Sequence, residues 1–196
     1  MANWGVSVSG AAPARIVYQP GFNAARPFID RHPAEGRGQK VAIRTVSGRD
    51  VSYAELAKAV DRAGNALLGL GLGPGERLLM VVKDCPEFVF AFFGAIKAGI
   101  VPVPLNTLLR AADYRYMIED SACAGLLYSP EFAAEVEPAL AQAGRKPGVA
   151  LRTEGEGKTL VAAMGAASDR LEAVAAGAEA DCFWLYSSGS TGRPKG

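Results

Sequence analysis

The amino-acid sequence predicts an α/β fold with a mostly parallel sheet whose strands are joined by crossover helices. Short apolar runs alternate along the chain with segments of helical periodicity, a pattern typical of such folds. Continuous apolar runs such as residues 77–82 indicate strands covered on both faces. The 196 residues are 49% hydrophobic and 21% charged, so the chain is able to bury one core.

The first elements of the domain carry clear local signals. Residues 41–46 and 49–51 are β-rich and flank a Ser-Gly pair, so they predict an N-terminal β-hairpin. Ser52 and Glu55 then form a capping box, in which each side chain bonds a free backbone N–H of the first helical turn. The helix that follows is expected to end at the glycine-rich run 69–75. No register of that run gives the G-x-G-x-x-G pattern, and a helix precedes it, so it does not predict a dinucleotide site.

The remaining elements follow the same alternation. Pro86 fits the first turn of a helix that ends before Gly99, because proline has no N–H to leave unpaired there. Residues 1–20 are expected to be a loose leader, ahead of a domain over 21–196. Further strands are expected at 77–82, 100–103, 125–128, 148–151 and 182–186, helices at 111–121 and 131–142, and a surface excursion with one short helix (158–164) at 152–181.

The charge balance and the cysteines exclude several classes of protein. Lys and Arg total 21 and Asp and Glu total 20, so there is no basic surface for nucleic acid or for an anionic membrane. The most apolar stretch, 88–104, contains a lysine and two prolines and is too short for membrane insertion, which needs roughly 20 residues. Cys85, Cys123 and Cys182 are odd in number and far apart, which predicts reduced, buried thiols and a cytoplasmic protein.

The last ten residues have a composition suited to binding phosphate. Glycines let the backbone approach an anion, hydroxyls add donors, and Arg193 and Lys195 add charge. The Walker pattern is excluded because Gly189 and Gly192 are three apart and Pro194 precedes Lys195. A flexible Ser/Gly linker is the alternative. It is disfavoured because the segment directly follows a predicted strand, and open α/β sheets bind ligands beyond the carboxyl ends of their strands.

Three segments resemble the signatures of one known family. FWLYSSGSTGRPKG at 183–196 closely resembles the third signature motif of the adenylate-forming superfamily, which includes acyl-CoA and aryl-CoA ligases, peptide-synthetase adenylation domains and luciferases. VSYAEL at 51–56 and IKAGIVPVPLN at 96–106 resemble two earlier signatures in the same order. Residues 22–43 and the WLYSSGSTG form of the loop look most like benzoate-CoA ligases. The resemblance implies the first part of the large N-terminal domain of an AMP-forming ligase, truncated inside its phosphate loop.

The resemblance also implies a reaction. A carboxylate, here an aromatic acid such as benzoate or a close analogue, attacks Mg-ATP to give an acyl-adenylate, and coenzyme A then displaces AMP. The implied role is in aromatic catabolism, with ATP, Mg²⁺ and coenzyme A required, and Thr191 is a candidate to approach Mg²⁺. The residues implied to grip the phosphates are Ser187, Ser188, Gly189, Ser190, Thr191, Gly192 and Lys195.

Other residues of the signatures receive no catalytic role. Tyr53, Glu55, Lys97 and Asn106 are expected to cap, pack or enter strands, and His32 is expected to be a loop residue. The family's acid pocket and adenylation lysine lie downstream, so the 196-residue chain alone is expected to be inactive. The alternative is a non-catalytic polypeptide that binds a nucleotide or a partner weakly.

Overall fold

The structure, a computed structural model, describes residues 4–10, 13–177, 179–187 and 195–196. The strands and helices of these residues alternate as the sequence predicts. A π-helical turn, Arg26–Asp30, leads into α1, and a 3₁₀ turn, Pro130–Phe132, leads into α5. The elements are β1 (Val6–Ser9), β2 (Arg15–Tyr18), α1 (Arg31–Ala34), β3 (Val41–Arg44), β4 (Asp50–Ser52), α2 (Tyr53–Gly69), β5 (Arg77–Val81), α3 (Pro86–Lys97), β6 (Val101–Pro104), α4 (Ala111–Ser121), β7 (Gly125–Tyr128), α5 (Ala133–Gln142), β8 (Val149–Arg152) and α6 (Leu160–Ala166).

A four-stranded parallel sheet with the order β6-β5-β7-β8 forms the centre of the fold. One helix separates each pair of successive strands, so the predicted α/β class is confirmed. Leu78, Leu79, Met80 and Val81 of the central strand β5 are fully buried. One core layer packs α2, α3 and α6 on the sheet, and the other packs α4 and α5 on it. Within the described ranges, no helix is long and apolar enough to cross a membrane.

Two antiparallel hairpins precede or flank this sheet. β3 and β4 form the predicted hairpin, with Gly48 at a φ of 83° in its turn, where a side chain would be strained. β1 and β2 form a second hairpin within residues 1–20, which were expected to be a loose leader. The side chain of Trp4 donates a hydrogen bond to Glu35 across 3.0 Å, so this hairpin is tied to the domain near α1.

The capping box of α2 is confirmed. The backbone N–H of Glu55 donates to the Ser52 hydroxyl (3.3 Å), and the backbone N–H of Ser52 donates to the Glu55 carboxylate (2.8 Å). These two bonds satisfy donors that the first turn of a helix leaves unpaired. Ser52 and Glu55 of the signature segment VSYAEL therefore have a local structural role.

Residues 152–181 are not simply a surface excursion. Leu160 and Met164 of α6 are buried against α2, and the Val174 N–H donates to the carbonyl oxygen of Lys97 (2.9 Å). Its few large apolar residues stand among alanines, glycines and charged residues, so no continuous apolar run in the sequence indicates their burial. The expectation of a surface excursion at 152–181 is therefore wrong for α6 and for the contact at Val174.

Two smaller expectations also need correction. His32 lies in α1 rather than in a loop, and its ring stacks on Tyr53 with centroids 4.0 Å apart. All three thiols are free, but only Cys123 is buried, while Cys85 is half-buried and Cys182 is exposed.

α2 and α3 approach each other closely through a pair of glycines. A methyl group added at Gly94 would lie 2.7 Å from the backbone nitrogen of Gly64 and 2.8 Å from the carbonyl oxygen of Val60. Backbone atoms cannot move out of the way without displacing the whole helix. The contact between α2 and α3 therefore requires glycine at this position.

We predict that Gly94→Ala lowers the free energy of unfolding by about 2 kcal/mol, because the methyl group overpacks the contact between α2 and α3. Gly69→Ala is the matched control, since nothing lies within 4 Å of a methyl group added there at the end of α2. Chemical denaturation of the two variants measures the difference. Equal stability of both variants would contradict the close approach.

Candidate functional site

The described residues of the predicted phosphate loop are its two ends. Ser187 and Lys195 form an antiparallel bridge, in which each backbone N–H donates to the other's carbonyl oxygen at 3.0 and 3.1 Å. The bridge therefore places the two ends of the predicted loop next to each other. The other predicted site residues, including the Mg²⁺ candidate, lie outside the described residues: Ser188, Gly189, Ser190, Thr191 and Gly192.

The segment that leads to the loop runs beside β6 without becoming a strand of the sheet. The Trp184 N–H donates to the carbonyl oxygen of Pro102 (3.1 Å), while Phe183 and Leu185 are exposed. The N–H groups of Val101 in β6 and of Leu105, the residue after it, point toward β5. Its opposite edge carries Pro102 and Pro104, which have no N–H, so this edge only accepts hydrogen bonds. The prediction of a compact strand at 182–186 is wrong for this reason.

The side chains of this segment alternate between the two layers of the domain. Phe183 contacts Phe92 of α3, with ring centroids 5.6 Å apart. Trp184 and Tyr186 pack instead against the core layer of α4 and α5. The guanidinium of Arg77 lies 5.5 Å from the ring centre of Trp184, a cation–π distance. Side-chain packing thus holds the segment where the backbone ladder cannot.

Tyr186 connects the loop to α4. Its hydroxyl donates to Oδ2 of Asp120 across 2.7 Å. Burial, together with the Asp120 carboxylate, raises the pKa of Tyr186 well above its ordinary value, so the hydroxyl remains a donor at neutral pH. Sequence reasoning missed this pair, because the two residues are 66 positions apart and neither lies in a pattern that points to the other.

The position of Asp120 also corrects the expectation that the loop lies beyond the carboxyl ends of the parallel strands. Asp120 lies in the last turn of α4, just before the chain pairs Ala124 with Arg77 at the start of β5. The Tyr186 hydroxyl is therefore on the amino-terminal side of the sheet, not beyond the carboxyl ends of its strands. The general rule for open sheets does not apply because residues 182–186 are not one of the parallel strands.

A buried ammonium lies at the C-terminal end of α3. Nζ of Lys97 is 2.7 Å from Asp30 and 2.6 Å from Asp61, and the lysine side chain is only 5% exposed. Burial disfavours the charged ammonium, but hydrogen bonds to the two carboxylates outweigh it and raise the pKa of Lys97. Burial also raises the pKa of Asp61. Lys97 is thus held as a charged structural group.

A buried amide completes this junction. Nδ2 of Asn23 donates to the carbonyl oxygens of Ile96 (2.9 Å) and Val174 (3.0 Å), while its Oδ1 accepts from the Ala25 N–H (3.0 Å). These bonds join the N-terminal segment, the end of α3 and the chain that runs toward the loop. Every polar group of the amide has a partner, as burial requires.

Comparison with known proteins identifies the family. A model of the AMP-binding enzyme family matches residues 30–196 of this chain, which is most of its length. The chain belongs to the AMP-binding enzyme family. Its fold, a parallel sheet with helices on both faces, is that of the corresponding part of solved members of the family.

Several members of the family are similar to this chain. A 4-hydroxybenzoate–CoA/benzoate–CoA ligase of Rhodopseudomonas palustris is 42% identical over 89% of the chain and 33% of the relative. The crystal structure of a benzoate CoA ligase from Burkholderia xenovorans LB400 matches with a TM-score of 0.77 and 34% identity over 84% of the chain and 32% of that protein. An anthranilate CoA ligase, solved in complex with anthranoyl-AMP, matches with a TM-score of 0.81 and 29% identity over 88% and 32%. The chain spans about a third of the length of these relatives.

The signature residues of this family member have structural contacts. Glu55 caps α2, Tyr53 stacks on His32, and Lys97 pairs with its two carboxylates. Oδ1 of Asn106 accepts a hydrogen bond from the backbone N–H of Leu108 (2.9 Å). In the part of the chain that the structure describes, no group of His, Cys, Asp and Glu side chains is placed to hold a metal ion.

We predict that Lys97→Met lowers the free energy of unfolding by about 3 kcal/mol near neutral pH, because two half-buried carboxylates lose their buried counter-ion. Burial already raises the pKa of Asp61, and loss of the ammonium leaves this effect unopposed, so protonation of Asp61 relieves part of the penalty as the pH falls. The deficit should therefore be larger at about pH 8 than at about pH 5.

Lys58→Met is the control for this measurement, since Lys58 lies on the exposed face of α2. We expect it to change the unfolding free energy by less than about 0.5 kcal/mol. Urea titrations at the two pH values measure both variants. A Lys97→Met deficit that does not depend on pH would contradict the assignment of two charged carboxylates to this ammonium.

Proposed function

We propose that this chain is the front part of an AMP-forming carboxylate–CoA ligase that acts on an aromatic acid, benzoate or a close analogue. The acid would attack the α-phosphate of Mg-ATP and release pyrophosphate, and coenzyme A would then displace AMP from the acyl-adenylate. The relatives named above act on benzoate or hydroxybenzoate, or were solved with an aromatic acyl-adenylate. Their shared substrate class supports an aromatic acid and a role in aromatic catabolism.

The observation that carries the proposal is the bridge between Ser187 and Lys195. It closes the hydroxyl-rich and glycine-rich segment of an AMP-binding family member and brings Lys195 beside the first serine of that segment. We infer that donors from Ser187 to Gly192 and the ammonium of Lys195 hold the β- and γ-phosphates. Such donors stabilise the negative charge that develops on the departing pyrophosphate. Thr191 is the proposed residue for Mg²⁺.

The remainder of the active site is proposed to lie outside this chain. The relatives are about three times as long as the part that the chain matches, which leaves room for an acid pocket and a coenzyme A site. A ligase that consumes ATP and coenzyme A is expected in the cytoplasm, consistent with three free thiols. The reading frame beyond Gly196 tests this proposal directly. An immediate natural stop codon would instead favour the non-catalytic polypeptide.

We predict that the complete protein catalyses exchange of pyrophosphate into ATP that depends on benzoate or hydroxybenzoate. Adenylation of the acid is reversible, so labelled pyrophosphate enters ATP only when the correct acid is present. A long-chain fatty acid serves as the comparison substrate. Exchange with the fatty acid and none with the aromatic acids would overturn the proposed substrate class.

We predict that Lys195→Ala slows adenylation in the complete protein by about 100-fold, since it removes one charged donor from the developing pyrophosphate. Lys146→Ala is the matched control, because it removes an exposed lysine outside the loop and should leave the rate unchanged. Single-turnover formation of the acyl-adenylate measures the step. Equal rates for the two variants would remove Lys195 from the proposed site.

A further inference from the structure

We propose that Tyr186 and Asp120 are positioning residues that fix both ends of the phosphate loop to helix α4. The inference rests on the proposed function for its catalytic consequence, but the anchoring itself is a property of the fold. Neither residue is expected to touch ATP or the acid. Their contribution is to hold the backbone of Ser187 and Lys195 where the loop begins and ends.

Two contacts of Tyr186 and the bridge made by the next residue support the anchoring. The hydroxyl donates to Asp120 at 2.7 Å, and the next residue along the chain, Ser187, forms the bridge to Lys195. The ring also lies against the other end of the loop: a methyl group added at Gly196 would be 3.0 Å from its Cζ atom. Tyr186 thus precedes the bridge in the chain, and its ring lies beside the residue that follows the bridge.

The anchor point on α4 is itself held firmly. The guanidinium of Arg77 donates to the carbonyl oxygens of Ser121 (3.0 Å) and Ala122 (3.2 Å), which joins the end of α4 to the start of the central strand. Tyr114, Met117 and Ile118 of α4 are almost completely buried in the core. Asp120 is therefore presented by a helix whose position is set by the sheet.

A hydrogen bond to a side-chain carboxylate suits this role. Bonds to ionised acceptors are shorter and stronger than those between neutral groups, and 2.7 Å falls in that range. The segment that leads to the loop, residues 182–186, has few backbone hydrogen bonds to β6. Pro104 in β6 has no N–H that could donate to a carbonyl oxygen of this segment. A site group must be held within about 0.5 Å of its productive position. Loss of the bond between Tyr186 and Asp120 should therefore displace the ends of the phosphate loop.

The first test measures the anchoring without reference to activity. Hydrogen–deuterium exchange of the complete protein is followed at the amides of Ser187 and Lys195, which close the bridge. We expect Tyr186→Phe and Asp120→Ala to speed exchange at both amides about ten-fold. Unchanged exchange in both variants would overturn the inference, as would amides that are already unprotected in the parent protein.

The control is a similar bond elsewhere in the same core layer. The hydroxyl of Tyr128, on β7, donates to Glu137 of α5 at 3.0 Å. Tyr128→Phe removes a tyrosine–carboxylate bond of the same kind, away from residues 186–196. It should leave exchange at Ser187 and Lys195 unchanged. Faster exchange in this control as well would indicate a general loosening of the layer and overturn a specific anchor.

The second test reads the catalytic consequence in the same variants. We expect Tyr186→Phe and Asp120→Ala to raise the KM for ATP in pyrophosphate exchange about five- to ten-fold, with the KM for the aromatic acid unchanged. Asp120→Asn keeps an acceptor but removes the charge, so it should rescue part of the effect. Failure of Asp120→Asn to rescue, or an equal rise in both KM values, would overturn the positioning role.

The two tests separate the inference from the function on which it rests. A parent protein without exchange activity for any carboxylate would refute the proposed ligase, whereas the amide measurement would still decide whether the anchor exists. Faster amide exchange combined with unchanged KM for ATP in an active enzyme would overturn the catalytic importance of the pair.

Discussion

A buried set of polar contacts at the C-terminal end of α3 joins parts of the chain that are far apart in sequence. The Asn23 amide bonds the carbonyl oxygens of Ile96 and Val174, and the Lys97 ammonium binds carboxylates from a π-helical turn and from α2. Burying a polar group costs free energy unless the group forms a hydrogen bond. The three parts of the chain that supply these groups must therefore pack together for the junction to be stable. The path of the chain after Val174, and hence its approach to the loop, depends on this junction.

The outer edge of β6 imposes the next constraint on that path. Its two prolines leave carbonyl oxygens without neighbouring N–H groups, so the segment from Asp181 to Tyr186 makes one ladder bond instead of a continuous set. Side-chain contacts hold the segment in place instead. Phe183 faces α3, whereas Trp184 and Tyr186 face the layer of α4. The loop therefore begins from a segment fixed by packing and by one charged acceptor.

The elements that sequence reasoning predicted well are those with local signals. The limits of α4 and β7 agree with the prediction, and the capping box of α2 is confirmed, because helical periodicity, turns and caps act over a few residues. β1 and β2 were missed because each has only four residues and is exposed along its whole length, although the V-S-V-S sequence of β1 does alternate. The prediction of a strand at 182–186 was wrong because pairing depends on the edge of β6, which carries Pro102 and Pro104. That edge lies about 80 positions earlier in the chain, so no local sequence pattern indicates whether the two segments pair.

The same distinction separates the chemistry of the candidate site from its placement. Residue types alone pointed to Ser187 and Lys195, since hydroxyls, glycines and a lysine in one short segment suit an anion. Their bridge uses backbone atoms only, so it leaves the side chain of Lys195 available to bind an anion. Nothing in the motif specifies Asp120 as the anchor, because that contact arises only when α4 packs against the sheet. A loop of this composition placed elsewhere would keep its donors and lose their alignment.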